Sequence, residues 1–208
     1  MTFYRFARAV VLSVCKVACR VRVVGREHVP RSGAYIVAPS HRSILDVPFS
    51  AFVTTRTICF LAKEELFSTW FGNAFFTALG AVRVERGTAD RAALRALEAE
   101  LARGQPVAVF PEGTRESGPR IAPLFDGAAY LAVKLGVPIV PVGVGGSEDI
   151  LPKGKFLPRP RRVAVVVGKP IMPPVFEGRG RRAAATKLTD ELAAELQRVF
   201  TDALLIAG

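Results

Sequence analysis

Ser40-His41-Arg42-Ser43-Ile44-Leu45-Asp46 sets one of only two histidines in the chain five residues ahead of a carboxylate. Histidine is the side chain whose unperturbed pKa lies near neutrality, and a carboxylate on its far nitrogen fixes the tautomer and raises the basicity. Such a pair is half of a catalytic site. Five residues along a regular helix turn through about 500°, leaving the two side chains roughly 140° apart, so a contact between them requires a turn. The neighbouring residues supply one. Tyr35-Ile36-Val37-Ala38 reads as a buried strand, Pro39-Ser40 ends it, and Ile44 to Phe49 reads as a helix start. Pro48 is tolerated there because first-turn N–H groups have no intrahelical partner. His41 then sits just outside the helix with Asp46 folded back onto it. The same residues also fit a loop histidine and an aspartate that favours a helix N-terminus.

A second group lies some seventy residues on. Val107-Ala108-Val109-Phe110 is a buried strand emptying into Pro111-Glu112-Gly113-Thr114-Arg115, a turn with a carboxylate, a hydroxyl and a guanidinium. Gly113 lets the backbone approach a ligand closely, and Arg115 suits bidentate contact with phosphate or carboxylate. Taken alone, this is equally a structural salt-bridge loop.

The elements that must hold these groups alternate between strand and helix. Strands are expected over Val21–Val24, Gly33–Ala38, Thr57–Ala62 with Lys63 at its end, Ala81–Arg86, Pro106–Phe110, Val137–Val144 and Arg161–Val167. Helices are expected through Phe49–Val53, over Thr88–Arg103 with Gly104 as a stop, over Phe125–Leu135 closing at Gly136, and over Thr186–Ile206. Two short apolar helical pieces, Glu64–Phe71 and Asn73–Leu79, flank Trp70 and suit an apolar substrate or a membrane. The pattern predicts an α/β fold, a single domain with a mixed, largely parallel sheet flanked by helices. His41 and the Glu112 loop both fall beyond the carboxyl ends of strands, where open α/β sheets carry their sites.

Composition narrows the partners. A chain of 208 residues holds one well-buried domain or at most two small ones. Its mean hydropathy of +0.29 is high, yet no uncharged apolar run of about 18 residues occurs, which argues against a membrane-spanning helix. A net charge of +11 favours anionic partners: nucleic acid, acidic lipid or phosphorylated small molecules. Three cysteines give no paired framework and the two distant histidines give no zinc spacing, so no metal and no cofactor are expected and a reducing cytosolic setting fits. Cys15 and Cys19, one turn apart, read as small apolar helix residues before they read as acylation or metal sites.

From Phe3 to about Cys19 the pattern is helical, with Arg5, Arg8, Lys16 and Arg20 in one arc and Phe3, Phe6, Val10, Val14, Val17 and Val21 opposite. Such an amphipathic helix either lies in the headgroup layer, apolar side inserted and arginines on anionic lipid, or packs as an ordinary surface helix. No small-residue cleavage site follows it, so removal as a secretory signal is not expected.

Together, His41-Arg42-Ser43-Ile44-Leu45-Asp46, Pro111-Glu112-Gly113-Thr114-Arg115 and Val137-Pro138-Ile139-Val140-Pro141-Val142 resemble the ordered motif set of the glycerolipid acyltransferase family, most of all its bacterial 1-acyl-sn-glycerol-3-phosphate (lysophosphatidic acid) acyltransferases. The resemblance covers roughly residues 22–170. Joined to the amphipathic pattern at the amino end, it gives a membrane-associating helix over residues 1–20 and an acyltransferase domain over 21–208, expected to be peripheral on the cytoplasmic face of the membrane. It also implies transfer of a fatty acyl chain from acyl-CoA or acyl carrier protein to lysophosphatidic acid, giving phosphatidic acid without an acyl-enzyme. His41 is then the general base and Asp46 its orienting partner. Substrate contacts implied by the resemblance are Lys63, Arg86, Glu112, Gly113, Thr114 and Arg115, with Arg115, Arg86 and Lys63 toward the acceptor phosphate and Glu112 orienting. Arg42 and Ser43 read as shaping the turn.

The chain departs from the family pattern at Arg83, where an aromatic residue is common, and at Asp126, where a lysine is common. Both point to the acceptor headgroup, leaving another lysophospholipid or a lyso-glycolipid as the alternative acceptor. Two other classes compete: a silent lipid-binding member of the fold, against which His41 and Asp46 argue, and a nucleic-acid module, for which no motif is found beyond charge.

Overall fold

The computed structural model describes residues 2–78, 80–84, 89–150, 159, 161–174 and 180–208. Seven strands pair into one sheet: β1 (Arg22–Val24), β2 (Ile36–Pro39), β3 (Cys59–Lys63), β4 (Ala81–Val84), β5 (Val107–Ala108), β6 (Ile139–Gly145) and β7 (Ala164–Val167). Their spatial order is β1-β7-β6-β2-β5-β3-β4. From β6 to β4 all neighbours are parallel, while β7 runs antiparallel to β6 and carries β1 parallel to itself at the edge. The sheet is therefore mixed and largely parallel.

Near-continuous apolar runs suit strands covered on both faces. Along β2, Tyr35 and Val37 point into one core while Ile36 and Ala38 point into the other. The two-residue period of the strand produces that division. On the first face lie α1 (Thr2–Ala18), α2 (Asp46–Ser50) and α3 (Trp70–Ala78); on the second lie α4 (Ala89–Ala102), α5 (Gly127–Leu135) and α7 (Arg181–Ala207), with the one-turn α6 (Ser147–Ile150) after β6. A Cβ on Gly143 would stand 2.2 Å from the Val199 carbonyl oxygen, and one on Gly145 2.4 Å from the Ala203 backbone. The two glycines thus let α7 rest directly on β6.

The amino-terminal helix forms where the periodicity placed it, but its cationic arc does not face outward as a whole. Arg8 donates through Nη2 to the carbonyl of Ala51 (2.6 Å) and to that of Thr54, pinning α1 to the turn after α2. Val11, Leu12 and Cys15 sit half-buried on the domain side, whereas Phe6, Val10, Val14 and Val17 are exposed, Val17 to 80%. Arg8 is therefore a structural clamp rather than a lipid contact. No helix among the described residues is long and apolar enough to cross a membrane.

Candidate active site

β2 and β5 pair directly and in parallel, so the segments that leave their carboxyl ends emerge side by side. The first carries His41 and the second Glu112 to Arg115. A break between β2 and α2 supplies the required turn, and Nδ1 of His41 lies 3.2 Å from Oδ2 of Asp46. The same carboxylate oxygen accepts the backbone N–H of Arg42 (2.5 Å) and of Ser43 (2.6 Å). Asp46 is completely buried at the first turn of α2. Three donors converging on one oxygen leave it little freedom to rotate, and through it the imidazole is held at a fixed angle. The His41 ring also packs on Phe110, centroids 4.2 Å apart.

Glu112 and Arg42 bind the two segments to each other. Nη1 of Arg42 donates to both oxygens of Glu112, at 3.0 and 2.9 Å, and both side chains are buried. Arg42 also donates to the carbonyls of His41, Gly118 and Arg120, and its guanidinium lies over the Phe200 ring of α7 at 4.7 Å. Glu112 accepts the backbone N–H of His41 (2.9 Å) and of Ala122 (3.0 Å). Glu116 closes the ring by donating its N–H to the His41 carbonyl. The residue that bears the imidazole is thus held at both its backbone groups by the 112–116 loop.

An apolar groove starts at the other face of this cluster. It is a narrow crevice of about 30 Å³ between α1 and the sheet, lined by Arg8, Val11 and Leu12 of α1, Val47 and Pro48 of α2, and Ala108 and Phe110 at the end of β5. Phe110 is common to the groove and to the His41 stack.

Residues 20–145 match the family model described as Acyltransferase. The chain belongs to the acyltransferase family. It is 31% identical over 192 residues to a 1-acyl-sn-glycerol-3-phosphate acyltransferase of Chlamydomonas reinhardtii, covering 88% of this chain and 57% of that protein. With the enzyme of that name from Bacillus subtilis (strain 168) it shares 25% identity over 198 residues, 93% of this chain and 96% of the relative. Its fold superposes with a TM-score of 0.80 on the crystal structure of the 1-acyl-sn-glycerophosphate (LPA) acyltransferase PlsC from Thermotoga maritima, at 28% identity, covering 99% of this chain and 82% of that one.

Within this acyltransferase the residues singled out from sequence divide into three groups. His41, Asp46, Gly113, Thr114 and Arg115 come together, the last three on the loop that hydrogen-bonds the His41 backbone. Gly113 needs to be glycine: its φ is 70°, and a Cβ would strike the Phe125 ring at 2.7 Å. Thr114 is exposed and Arg115 half-buried. Lys63 ends β3, whose carboxyl end is on the same rim as those of β2 and β5. Arg86 lies outside the described residues.

Glu112 requires correction as a substrate contact. Both its oxygens are occupied by Arg42 and by backbone N–H groups, and at 2% exposure it has no free face for a ligand. It orients by building the loop. Asp126, read as a departure bearing on the headgroup, accepts from the hydroxyls of Thr189 (2.8 Å) and Thr186 (3.2 Å) of α7. That carboxylate joins two helices. Arg42, read only as a turn residue, is the one functional side chain the sequence understated.

Proposed function

We propose that this acyltransferase moves a fatty acyl chain from an acyl thioester, carried by coenzyme A or acyl carrier protein, to the free hydroxyl of lysophosphatidic acid. The observation that carries the reading is the double role of Phe110, which places the His41–Asp46 pair at the end of an apolar groove. In the tautomer with its proton on Nδ1, facing Asp46, His41 presents a free Nε2. Nε2 takes the proton of the acceptor hydroxyl as that oxygen attacks the thioester carbonyl. The tetrahedral intermediate then expels the thiolate, which recovers the proton from the imidazolium, leaving the ester and a free thiol.

Direct transfer is favoured over an acyl-enzyme by the state of the flanking serines. Ser40 and Ser43 are fully buried, and the Ser40 Oγ accepts the Val144 N–H of β6. Neither presents a hydroxyl as a nucleophile. Arg115, Thr114 and Gly113, with Lys63 on the same rim, form the side toward the acceptor phosphate, and the assignment of Arg86 to that phosphate rests on its place in the sequence motif.

The exposed stripe of Phe6, Val10, Val14 and Val17 supports a monotopic enzyme resting on the cytoplasmic face of the membrane, α1 inserted in the headgroup layer. The opposite side of the same helix walls the groove, so one helix stands between the bilayer and that crevice. The test is a mass-spectrometric assay offering lysophosphatidic acid, glycerol 3-phosphate and other lysolipids against both thioester carriers. Wild type is expected to form phosphatidic acid, and His41→Ala to lose about 10²–10⁴-fold in turnover with its thermal midpoint unchanged. Near-normal turnover by that variant rejects the reading.

A further inference from the structure

A depression of about 450 Å³ opens where α1 ends, lined by Val17, Ala18 and Arg20 and, from the segment leading into β7, by Arg161 and Arg162. Because β1 and β7 run opposite to β6 and β2, their starting ends lie at the rim where β6 and β2 finish. The depression is therefore at the His41 end of the sheet but displaced from it, beyond β6. All three arginines are exposed, and none of their side chains makes a hydrogen bond or ion pair among the described residues. The rest of the lining is Ala207 and Gly208 at the end of α7, and three arginines from two segments around one concavity favour an anion.

Arg20 adds an independent observation. α1 closes in a turn whose Val21 N–H reaches back to the Lys16 carbonyl, which puts Arg20 at the position usually held by glycine in a left-handed conformation. Arg20 has φ 43°, a positive value found at no other non-glycine residue among those described. The left-handed region disfavours any residue with a Cβ, so an arginine here works against local stability. In return, Arg20 lines the depression.

The wall formed by Val17 decides what kind of anion fits. Val17 continues the exposed stripe of Val14, Val10 and Phe6, so a ligand with an anionic head in the depression can lay apolar tails against α1. A soluble anion gains nothing from that stripe. We propose that Arg20, Arg161 and Arg162 form a binding site for the phosphate of an anionic membrane phospholipid, separate from the acceptor site, which anchors and orients the enzyme on acidic bilayers. This inference rests on the monotopic reading of α1 above.

The experiment is co-sedimentation of the full chain with phosphatidylcholine vesicles made with and without phosphatidylglycerol. Wild type is expected to prefer the anionic vesicles, and the triple variant Arg20→Gln, Arg161→Gln, Arg162→Gln to lose on the order of 100-fold of that preference while keeping its binding to phosphatidylcholine. Arg20→Gly separates this role from folding: it should raise the thermal midpoint by about 2–4 °C while weakening anionic-vesicle binding. Equal preference in wild type and triple variant overturns the site, as does a wild type that does not discriminate between the vesicles. Arginine-dependent binding of inorganic phosphate in a wild type that shows no preference for anionic vesicles also overturns it, in favour of a soluble-anion site. Acyl transfer to lysophosphatidic acid in detergent micelles, measured on the same preparations, stands or falls independently of these outcomes.

Discussion

Arg42 and Glu112 form a buried ion pair between residues adjacent to the ends of two neighbouring parallel strands, and it sets the distance between the loops that carry the candidate base and the candidate phosphate contacts. Charges this deeply buried persist only with their remaining donors and acceptors satisfied, as the His41, Gly118, Arg120 and Ala122 backbone groups do here. Removing one partner strands the other. Glu112→Leu and Arg42→Met should each lower stability by about 3–5 kcal/mol, measured by denaturant unfolding. The double variant should lose less than the sum of the two. Strict additivity would mean that the pair contributes nothing as a pair.

Asp46 reaches the imidazole and the backbone of the turn through one oxygen. Asp46→Asn can keep a carbonyl oxygen toward the Arg42 and Ser43 N–H groups, so the turn should survive. What it loses is the charge opposite Nδ1, which holds the tautomer that leaves Nε2 free. A fall of about 10²-fold or more in kcat with little change in KM is expected, because the interaction matters most while the imidazolium forms. A wild-type kcat in a variant with an unchanged thermal midpoint would remove Asp46 from the mechanism.

Arg115 sits one residue before the Glu116 N–H that caps the His41 carbonyl, half-buried and engaged by the protein rather than swinging free. A guanidinium on the loop that holds the His41 backbone suits a phosphate dianion. Arg115→Ala should raise KM for lysophosphatidic acid by about 10–100-fold, more than it lowers kcat, with KM for the thioester little changed. Parallel weakening of both substrates would instead make Arg115 a structural residue of the loop.

Much of this arrangement was legible because its causes are local. The strand before His41, the Pro39-Ser40 break and the five-residue interval to Asp46 permit a turn that returns the carboxylate to the imidazole, and the structure takes it. The repeated alternation of strand and helix likewise points to a largely parallel sheet. Arg42 was not legible, since its meaning depends on Glu112 seventy residues away and on a strand order no local pattern encodes. The one hint was a pair of opposite charges, each just past a buried strand. For α1, periodicity sorted residues onto two faces but could not say which face turns inward. Arg8 turned inward because the Ala51 and Thr54 carbonyls at the end of a short helical segment needed a donor. The antiparallel pairing of β7 with β6, and the place of β1 beside β7, are likewise set by strand order and not by any local pattern.

Cys59 gives a pH-dependent prediction away from the site. Burial between β3 and α4, reinforced by the Glu100 carboxylate 3.9 Å from the sulfur, pushes its thiol from 9.0 up to about 11. Between these values the unfolded chain has already lost the proton that the folded chain retains. The unfolded state therefore binds fewer protons, and stability falls as pH rises through that window. Below 9 the contribution of the half-buried neutral thiol is fully present. Thermal midpoints of wild type and Cys59→Ala, taken below and above the window, should converge as the pH increases. Alkylation should report the same state, with Cys59 reacting slowly at neutral pH until denaturant opens the β3–α4 contact. A constant difference between the two midpoints at every pH, or rapid alkylation in the native protein, would show that the thiol ionises normally and that Glu100 exerts no hold on it.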